Sequence, residues 1–126
     1  MSAEKKYIRN GVGTVRPYLY GPMNFLDFVK DVFGAVEVER NTVPGGLHVE
    51  ARIGDSLLVV VATDPPYHSA TKGSTYVYVE DVDAVHARAV AAGAEVISGP
   101  KQQPYQERSS ALKDSFGNIW YVSTYT

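Results

Sequence analysis

The sequence lacks several features that would commit a chain of this size to one class of function. It contains no cysteine, which excludes disulfide bonds and thiolate metal ligands. Its 12 basic and 14 acidic side chains are interspersed and give a net charge of −2, so no clustered basic face is available for nucleic acid. We therefore expect neither a disulfide-stabilised scaffold nor a nucleic-acid-binding protein.

Long hydrophobic runs are absent as well. Residues 1–10 are polar, so the sequence predicts neither a signal peptide nor a membrane span in that region. A cytoplasmic protein with no membrane partner is the resulting expectation. The chain has 126 residues, of which 44% are hydrophobic and 21% charged, and this composition predicts one compact domain over 1–126.

Turn residues and apolar periodicity divide the first half of the chain into a strand, a helix and three more strands. Pro17 lacks a backbone donor, which places the first strand at a sheet edge or makes it irregular. Asn24 is a candidate N-cap of the helix, and Gly34 follows its end. The predicted elements are a strand over 11–20, a helix over 24–33 and strands over 36–42, 47–53 and 56–63.

The second half repeats this order after a connecting loop over 64–73. The glycines that follow the two helices, Gly34 and Gly93, and those of the last turns, Gly54 and Gly117, recur at similar separations. The predicted elements are a strand over 74–80, a helix from the cap Asp81 through 92, a strand over 95–98, a loop over 99–107, and strands over 108–114 and 119–124.

This duplication predicts an α+β fold built from two βαβββ modules, over about 12–63 and 74–124. Each module supplies a four-stranded sheet with one helix on its convex face. The two sheets together form a cup-shaped mixed sheet, and the cup is the natural place for a functional site.

Three segments, 28–35, 79–96 and 114–120, resemble the vicinal oxygen chelate superfamily, which includes glyoxalase I, extradiol dioxygenases and the bleomycin-resistance proteins. The last segment reads Asp-Ser-Phe-Gly-Asn-Ile-Trp, and with 47–50 it is most similar to small bacterial glyoxalase/bleomycin-resistance and PhnB-like members. The resemblance covers about 12–124. It implies a homodimer, formed either by pairing complete subunits or by exchanging halves about the 64–73 loop.

The resemblance also implies where a metal would bind in metal-dependent members, on the first and last strands of each half. Those positions fall on Thr14, Leu58, Ser74 and Tyr121 in this chain. None of the four is an imidazole or carboxylate donor, and such donors are what divalent metals need in these sites. We therefore expect no metal and no other cofactor.

Strand alternation then assigns side chains to the cup. If Tyr121 faces the cup, Leu58 is expected there too, with Ser56 and Val60, while Trp120 points to the helices. The apolar residues of 47–53 are expected to pack on the helix. The predicted ligand-binding residues are Arg16, Tyr18, His48, Glu50, Tyr76, Tyr78 and Tyr121.

Each candidate has more than one interpretation. Tyrosines along one wall suit stacking on a planar, partly polar ligand, but tyrosine is also a common strand residue. His48 with Glu50 and Arg52 forms a polar anchor, an acid–base pair or a solvated sheet face. Arg16 either pairs with Glu50 or binds an anion.

The remaining polar candidates are weaker. His68 lies in a proline-rich loop and His86 on a helix, and both are expected at the surface. The segment 101–106 is a lid over the cup or only a connection.

Two functions follow from these observations. The first is a metal-free binding protein that holds a planar aromatic or heterocyclic small molecule in a tyrosine-lined cup, as antibiotic-resistance members of the family do. The alternative is an enzyme of the same superfamily, a lyase, isomerase or dioxygenase. That enzyme would be metal-dependent or would use His48 in metal-free acid–base catalysis.

Overall fold

The fold is described from a computed structural model, which covers residues 7–63 and 72–126. His68, predicted to be an exposed loop residue, and most of the predicted 64–73 hinge lie outside these residues. Within them, neither helix has the length and apolar character that a membrane crossing requires.

Eight strands and two helices follow one another in the order that the duplication predicts. After a short turn over Arg9–Gly11, the first module comprises β1 Tyr18–Gly21, α1 Phe25–Phe33, β2 Val36–Val43, β3 Gly46–Ile53 and β4 Ser56–Thr63. The second module comprises β5 Ser74–Tyr78, α2 Val82–Ala91, β6 Glu95–Gln103, β7 Glu107–Lys113 and β8 Ile119–Tyr125.

Each module forms its own four-stranded mixed sheet. The strand orders are β1-β4-β3-β2 and β5-β8-β7-β6, with the first strand of each module parallel to the last and the other pairs antiparallel. The α+β class and the βαβββ duplication are thus confirmed.

The first strand is shorter than predicted. It begins at Tyr18 rather than at residue 11, because Pro17 has no N–H to donate and enters the sheet only through its carbonyl, which accepts from Val59 N at 2.9 Å. Residues 9–16 instead form an irregular segment, called the N-terminal arm below.

Helix caps were predicted with mixed success. Asp81 caps α2, accepting a hydrogen bond from Ala84 N at 3.2 Å, and Gly34 ends α1 with a positive φ of 68°. The prediction for Asn24 was wrong, because its backbone is already helical and its side chain makes no capping hydrogen bond.

The predicted loop over 99–107 is mostly strand. β6 continues to Gln103 through two register irregularities and pairs with β7 down to Glu107, so the connection shrinks to residues 104–106. A long lid over 101–106 is therefore absent, since its first half belongs to the sheet.

The last turns of the two modules differ in length, and this difference overturns one face assignment. Two residues join Ile53 to Ser56, whereas residues 114–118 join Lys113 to Ile119. The alternation of β4 is consequently shifted by one residue relative to β8. Leu58 and Val60 lie in the core with the helices, and Ser56 shares their side of β4, so the prediction that these three face the cup was wrong.

Asp114 organises the longer turn. Its Oδ1 accepts from the backbone N–H groups of Phe116 and Asn118 at 2.9 and 2.8 Å, and its Oδ2 accepts from Trp120 Nε1 at 2.8 Å. Asn118 Oδ1 in turn accepts from Gly73 N at 2.8 Å, just before β5. The Asp-Ser-Phe-Gly-Asn-Ile-Trp motif therefore has a structural role that links the turn, the tryptophan and the start of the module.

A single hydrophobic core serves both modules. Trp120 is 1% exposed, and its ring contacts Phe33 and Phe28 of α1 with centroids 4.6 and 6.3 Å away. Phe116 contacts Phe25 at 5.1 Å. The helix of the first module is thus packed on the sheet of the second.

Replacing Asp114 with Ala should destabilise the protein strongly, because two buried donors, Asn118 N and Trp120 Nε1, and the partly buried Phe116 N lose their acceptor. Each unpaired buried donor costs about 1–3 kcal/mol, so we expect the free energy of unfolding to fall by about 3 kcal/mol or more. Urea denaturation measures this change. Asp55→Ala, in the exposed turn of the first module, is the control and should change it by less than about 0.5 kcal/mol.

Candidate functional site

The predicted site residues lie on the faces of the two sheets that point away from the helices. We call these the open faces. Cross-strand register places Tyr18, Val59 and Glu50 side by side in the first module, and Tyr76, Tyr121 and Ala111 side by side in the second. The predicted residues are thus brought together within each module.

Glu50 is the buried charge of the first open face, only 3% exposed. Its Oε1 is paired with Arg16, whose side chain is also largely buried. The remaining guanidinium donors go to backbone carbonyls of the N-terminal arm, with Nε bonded to Gly13 O at 2.9 Å and one terminal nitrogen to Val12 O at 2.8 Å. Of the two predicted roles of Arg16, the structure contains the pair with Glu50.

The N-terminal arm covers part of this face. Arg16 also donates to the carbonyl of Arg9, and Arg9 pairs with Glu39 of β2, so the arm is attached at both ends. Gly13 lies against Leu57 of β4, which is buried although it points away from the helices. A ligand could not reach Glu50 without displacing this arm.

Beyond the arm, the first open face forms a shallow hollow of about 250 Å³. His48 Nδ1 lies 3.8 Å from Glu50 Oε2, too far for a hydrogen bond, and its ring is 5.9 Å from that of Tyr18. Partial burial, with smaller contributions from Tyr20 and Glu50, raises the pKa of Tyr18. The lining residues are Tyr18, Tyr20, Val43, Pro44, His48, Val61 and Thr63.

The second open face carries a cluster of exposed tyrosines. The rings of Tyr76 and Tyr121 are stacked at 6.3 Å with planes 20° apart, and they are 49% and 42% exposed. Tyr78 lies beside Tyr76 at 5.4 Å. Tyr76 and Tyr121 border a hollow of about 290 Å³, which is lined by Tyr76, Ser98, Lys101, Gln103, Tyr105, Ser109, Ser110, Ala111 and Tyr121.

Glu107 is the buried charge of this second face, 8% exposed, and sequence reasoning missed it. Its Oε1 accepts from the hydroxyls of Tyr76 and Ser123, the latter at 2.8 Å, and its Oε2 accepts from the Tyr78 hydroxyl at 2.6 Å. The sequence placed this residue at the end of a loop. Had β7 been predicted to begin at Glu107, the alternation of side chains along the strand would have placed Glu107 on the same face as Ser109 and Ala111.

The hydroxyl donors change the acidity of the whole cluster. Hydrogen bonds from Tyr76, Tyr78 and Ser123 hold the pKa of Glu107 below its ordinary value. The hydrogen bond to Glu107, together with partial desolvation, raises the pKa of Tyr78 to about 12. The carboxylate is therefore ionised and the Tyr78 phenol is neutral at physiological pH.

Metal ligands of the family type do not fit the residues present. Leu58 is in the core and Tyr121 belongs to the aromatic cluster, while Thr14 and Ser74 offer only hydroxyls. Within residues 7–63 and 72–126, no group of three His, Asp or Glu side chains is arranged to hold a metal ion. Glu50 and Glu107 are engaged by Arg16 and by hydroxyl groups.

A third cavity, of about 350 Å³, lies between β5 and the Gly54 turn of the first module. It is larger than the two hollows, and Tyr76 and Tyr78 line it together with core residues such as Leu58 and Trp120. Among its described lining residues, Asp55 is the only carboxylate or basic side chain. His86 lies on α2, outside all three cavities, with a buried Nδ1 that has no partner in the described part of the chain. The open faces therefore remain the better candidate site.

Replacing Arg16 with Gln should leave Glu50 buried without its cation. Breaking a buried ion pair typically costs about 3 kcal/mol, so we expect a fall of that size in the free energy of unfolding and faster proteolysis within residues 9–16. Arg52→Gln removes an exposed guanidinium of the same strand face and should leave both unchanged. Denaturant titration and limited proteolysis would contradict the role of Arg16 if the two variants behaved alike.

Titration of the phenolate absorbance should show a tyrosine step near pH 12 that Tyr78→Phe removes. Because the pKa is raised above 10.0 in the folded state, this contact stabilises the fold below about pH 10 and is lost as the pH rises toward 12. Glu107→Gln should move the step to lower pH. The control is Tyr125→Phe, because the Tyr125 hydroxyl donates to the neutral amide of Gln106 and not to a carboxylate. This variant should leave the step near pH 12 unchanged.

Comparison with known proteins agrees with this geometry. The family model of the Glyoxalase/Bleomycin resistance protein/Dioxygenase superfamily matches residues 23–122. An uncharacterized protein of Mycobacterium bovis is 32% identical over 108 residues, which cover 75% of this chain and 70% of that protein. A Mycobacterium tuberculosis relative is equally similar, and the chain spans 63% of its length.

Solved structures share the fold at lower identity. TioX from a Micromonospora species superposes with a TM-score of 0.70 at 24% identity, over 89% of this chain and 99% of TioX. TnmS3, an antibiotic binding protein from a Streptomyces species, superposes with a TM-score of 0.63 at 23% identity, over 90% and 97%. With a family model that spans most of the sequence and two matching βαβββ modules, the chain belongs to the Glyoxalase/Bleomycin resistance protein/Dioxygenase superfamily.

Proposed function

We propose that this protein binds a planar aromatic or heterocyclic small molecule, without a metal, against the tyrosines of the second open face. The observation that carries the proposal is the stacked, half-exposed pair of Tyr76 and Tyr121 bordering a hollow of about 290 Å³. Exposed aromatic rings with fixed hydroxyls favour stacking on a flat ligand whose edge is polar. TnmS3, which shares the fold, is an antibiotic binding protein, and this supports the same class of activity here.

The chemistry of the site favours binding over metal-dependent catalysis. Neither open face gathers the three carboxylate or imidazole donors that a catalytic metal needs among the residues described. Glu50 is held by Arg16, so it is a poor partner for acid–base chemistry at His48.

A second copy of the chain completes the site in this proposal. Among residues 7–63 and 72–126, the hydrogen bonds and ring contacts of Tyr18, His48, Tyr76, Tyr78 and Tyr121 join partners of the same module. The hollows of the two open faces have separate linings, although Tyr76 and Tyr78 also border the third cavity with the first module. Ligand sites bury most of the surface of a bound molecule, which one open hollow does not achieve. A homodimer in which open faces meet would supply the missing wall.

Replacing Tyr76 or Tyr121 with Ala should weaken binding of a planar aromatic compound by about tenfold, the loss of one favourable ring contact and its buried area. Quenching of tyrosine and tryptophan fluorescence by a panel of such compounds identifies a ligand, and calorimetric titration then measures the affinity. Tyr7→Ala removes an exposed tyrosine outside both sheets and serves as the control.

Four results would contradict the proposal. The site assignment fails if no planar compound binds or if both variants bind like the parent protein. Stoichiometric bound metal that is lost on replacing His48 would point to a metalloenzyme instead. A monomer in sedimentation experiments, with and without ligand, would remove the second copy from the site.

A further inference from the structure

The cluster around Glu107 points to the chemical class of the ligand, an inference that rests on the proposed function above. We propose that the second hollow, at the end nearest Glu107, recognises an N–H or O–H donor on the edge of the aromatic ligand. The carboxylate of Glu107 orients the hydroxyl protons of the cluster.

An ionised carboxylate has no proton and can only accept hydrogen bonds. Glu107 therefore fixes the direction of every hydrogen bond that reaches it. Tyr76, Tyr78 and Ser123 each have one hydroxyl proton, and each of them points it at Glu107. Since Ser123 has used its proton, its hydrogen bond of 2.8 Å with Ser109 makes Ser109 the donor there.

The phenol oxygens of Tyr76 and Tyr78 are left with lone pairs and no proton to offer. Both side chains are about half exposed or more, and Tyr76 borders the hollow directly. A ligand edge that meets these oxygens can hydrogen-bond only as a donor. A ligand with acceptors alone would remove water from the oxygens without replacing its hydrogen bonds, which disfavours binding.

The local charge also favours a ligand that donates a hydrogen bond. In the described segments, no lysine or arginine forms an ion pair with Glu107, so its negative charge is shared only by hydroxyls. Lys101 also lines the hollow, and its position on β6 faces Ser109 rather than Glu107. The requirement for a donor therefore applies where Tyr76 borders the hollow.

The test uses two neutral compounds of the same planar skeleton, 2-naphthol and 2-methoxynaphthalene, which differ in having or lacking the hydroxyl proton. We expect the full-length protein to bind 2-naphthol about tenfold more tightly, the effect of one hydrogen bond to an otherwise unpaired acceptor. Equilibrium dialysis or calorimetric titration gives both affinities.

Glu107→Gln replaces one carboxylate oxygen with an amide that donates, so one phenol must turn its proton toward the hollow. The preference for 2-naphthol should then shrink to less than about threefold. Asp83→Asn is the matched control, because it removes the same charge on α2, where Asp83 pairs with Arg108. Its preference should equal that of the parent protein.

The outcomes separate the two proposals. Equal affinity for both compounds, or tighter binding of 2-methoxynaphthalene, overturns the donor requirement and leaves the aromatic site standing. If neither compound binds, this inference is overturned. The proposed function also fails if no compound of the wider panel binds. If Glu107→Gln does not fold, Tyr76→Phe removes the acceptor oxygen that borders the hollow, and an unchanged preference in that variant overturns the assignment.

Discussion

The buried indole of Trp120 is the contact on which the rest of the structure depends. Asp114 fixes one edge of its ring by a hydrogen bond from Nε1, and Phe33 of the first module packs on its face. Because the ring is held from both modules, neither sheet can change its position without opening the core. The two open faces, although they lie on separate sheets, are therefore joined through one shared core.

Each open face contains one buried carboxylate, and the two modules satisfy it in different ways. Glu50 is neutralised by Arg16, which also attaches the N-terminal arm, so the first face is partly covered by its own chain. Glu107 is stabilised by hydroxyl groups alone, and its tyrosine donors remain exposed. A cation compensates charge and takes up space, whereas hydroxyls leave a negative, accessible surface. The second module therefore provides the more suitable binding surface.

Much of the fold could be predicted from the sequence because its signals are local. Three predicted features depend on neighbouring residues only, and all three appear in the structure. They are the apolar stripe of the helix before Gly34, the helix cap Asp81, and the alternation of apolar and polar residues over 47–53. The face of Leu58 was predicted from the glycine that both turns share, as if the two turns had the same length. Because the turn length decides which side chains of the following strand face the core, the sequence alone could not give this face.

The candidate site was less predictable for a similar reason. Tyr76, Tyr78 and Tyr121 share a face by alternation alone, and the sequence placed them together. Glu107 joins them only because β6 continues past Gly99 and draws β7 into a longer pairing. That pairing depends on backbone hydrogen bonds between distant residues, which residue types near Glu107 do not encode.

The parallel pairing of the first and last strands of each module has a consequence for how the chain acquires its structure. β1 obtains its sheet partner only when β4 exists, and β5 only when β8 exists, at the end of the chain. Contacts between residues so far apart in sequence form slowly. The second module, with its tyrosine cluster, thus stays incomplete until β8 has paired with β5, so the binding surface forms only after the last strand of the module is in place.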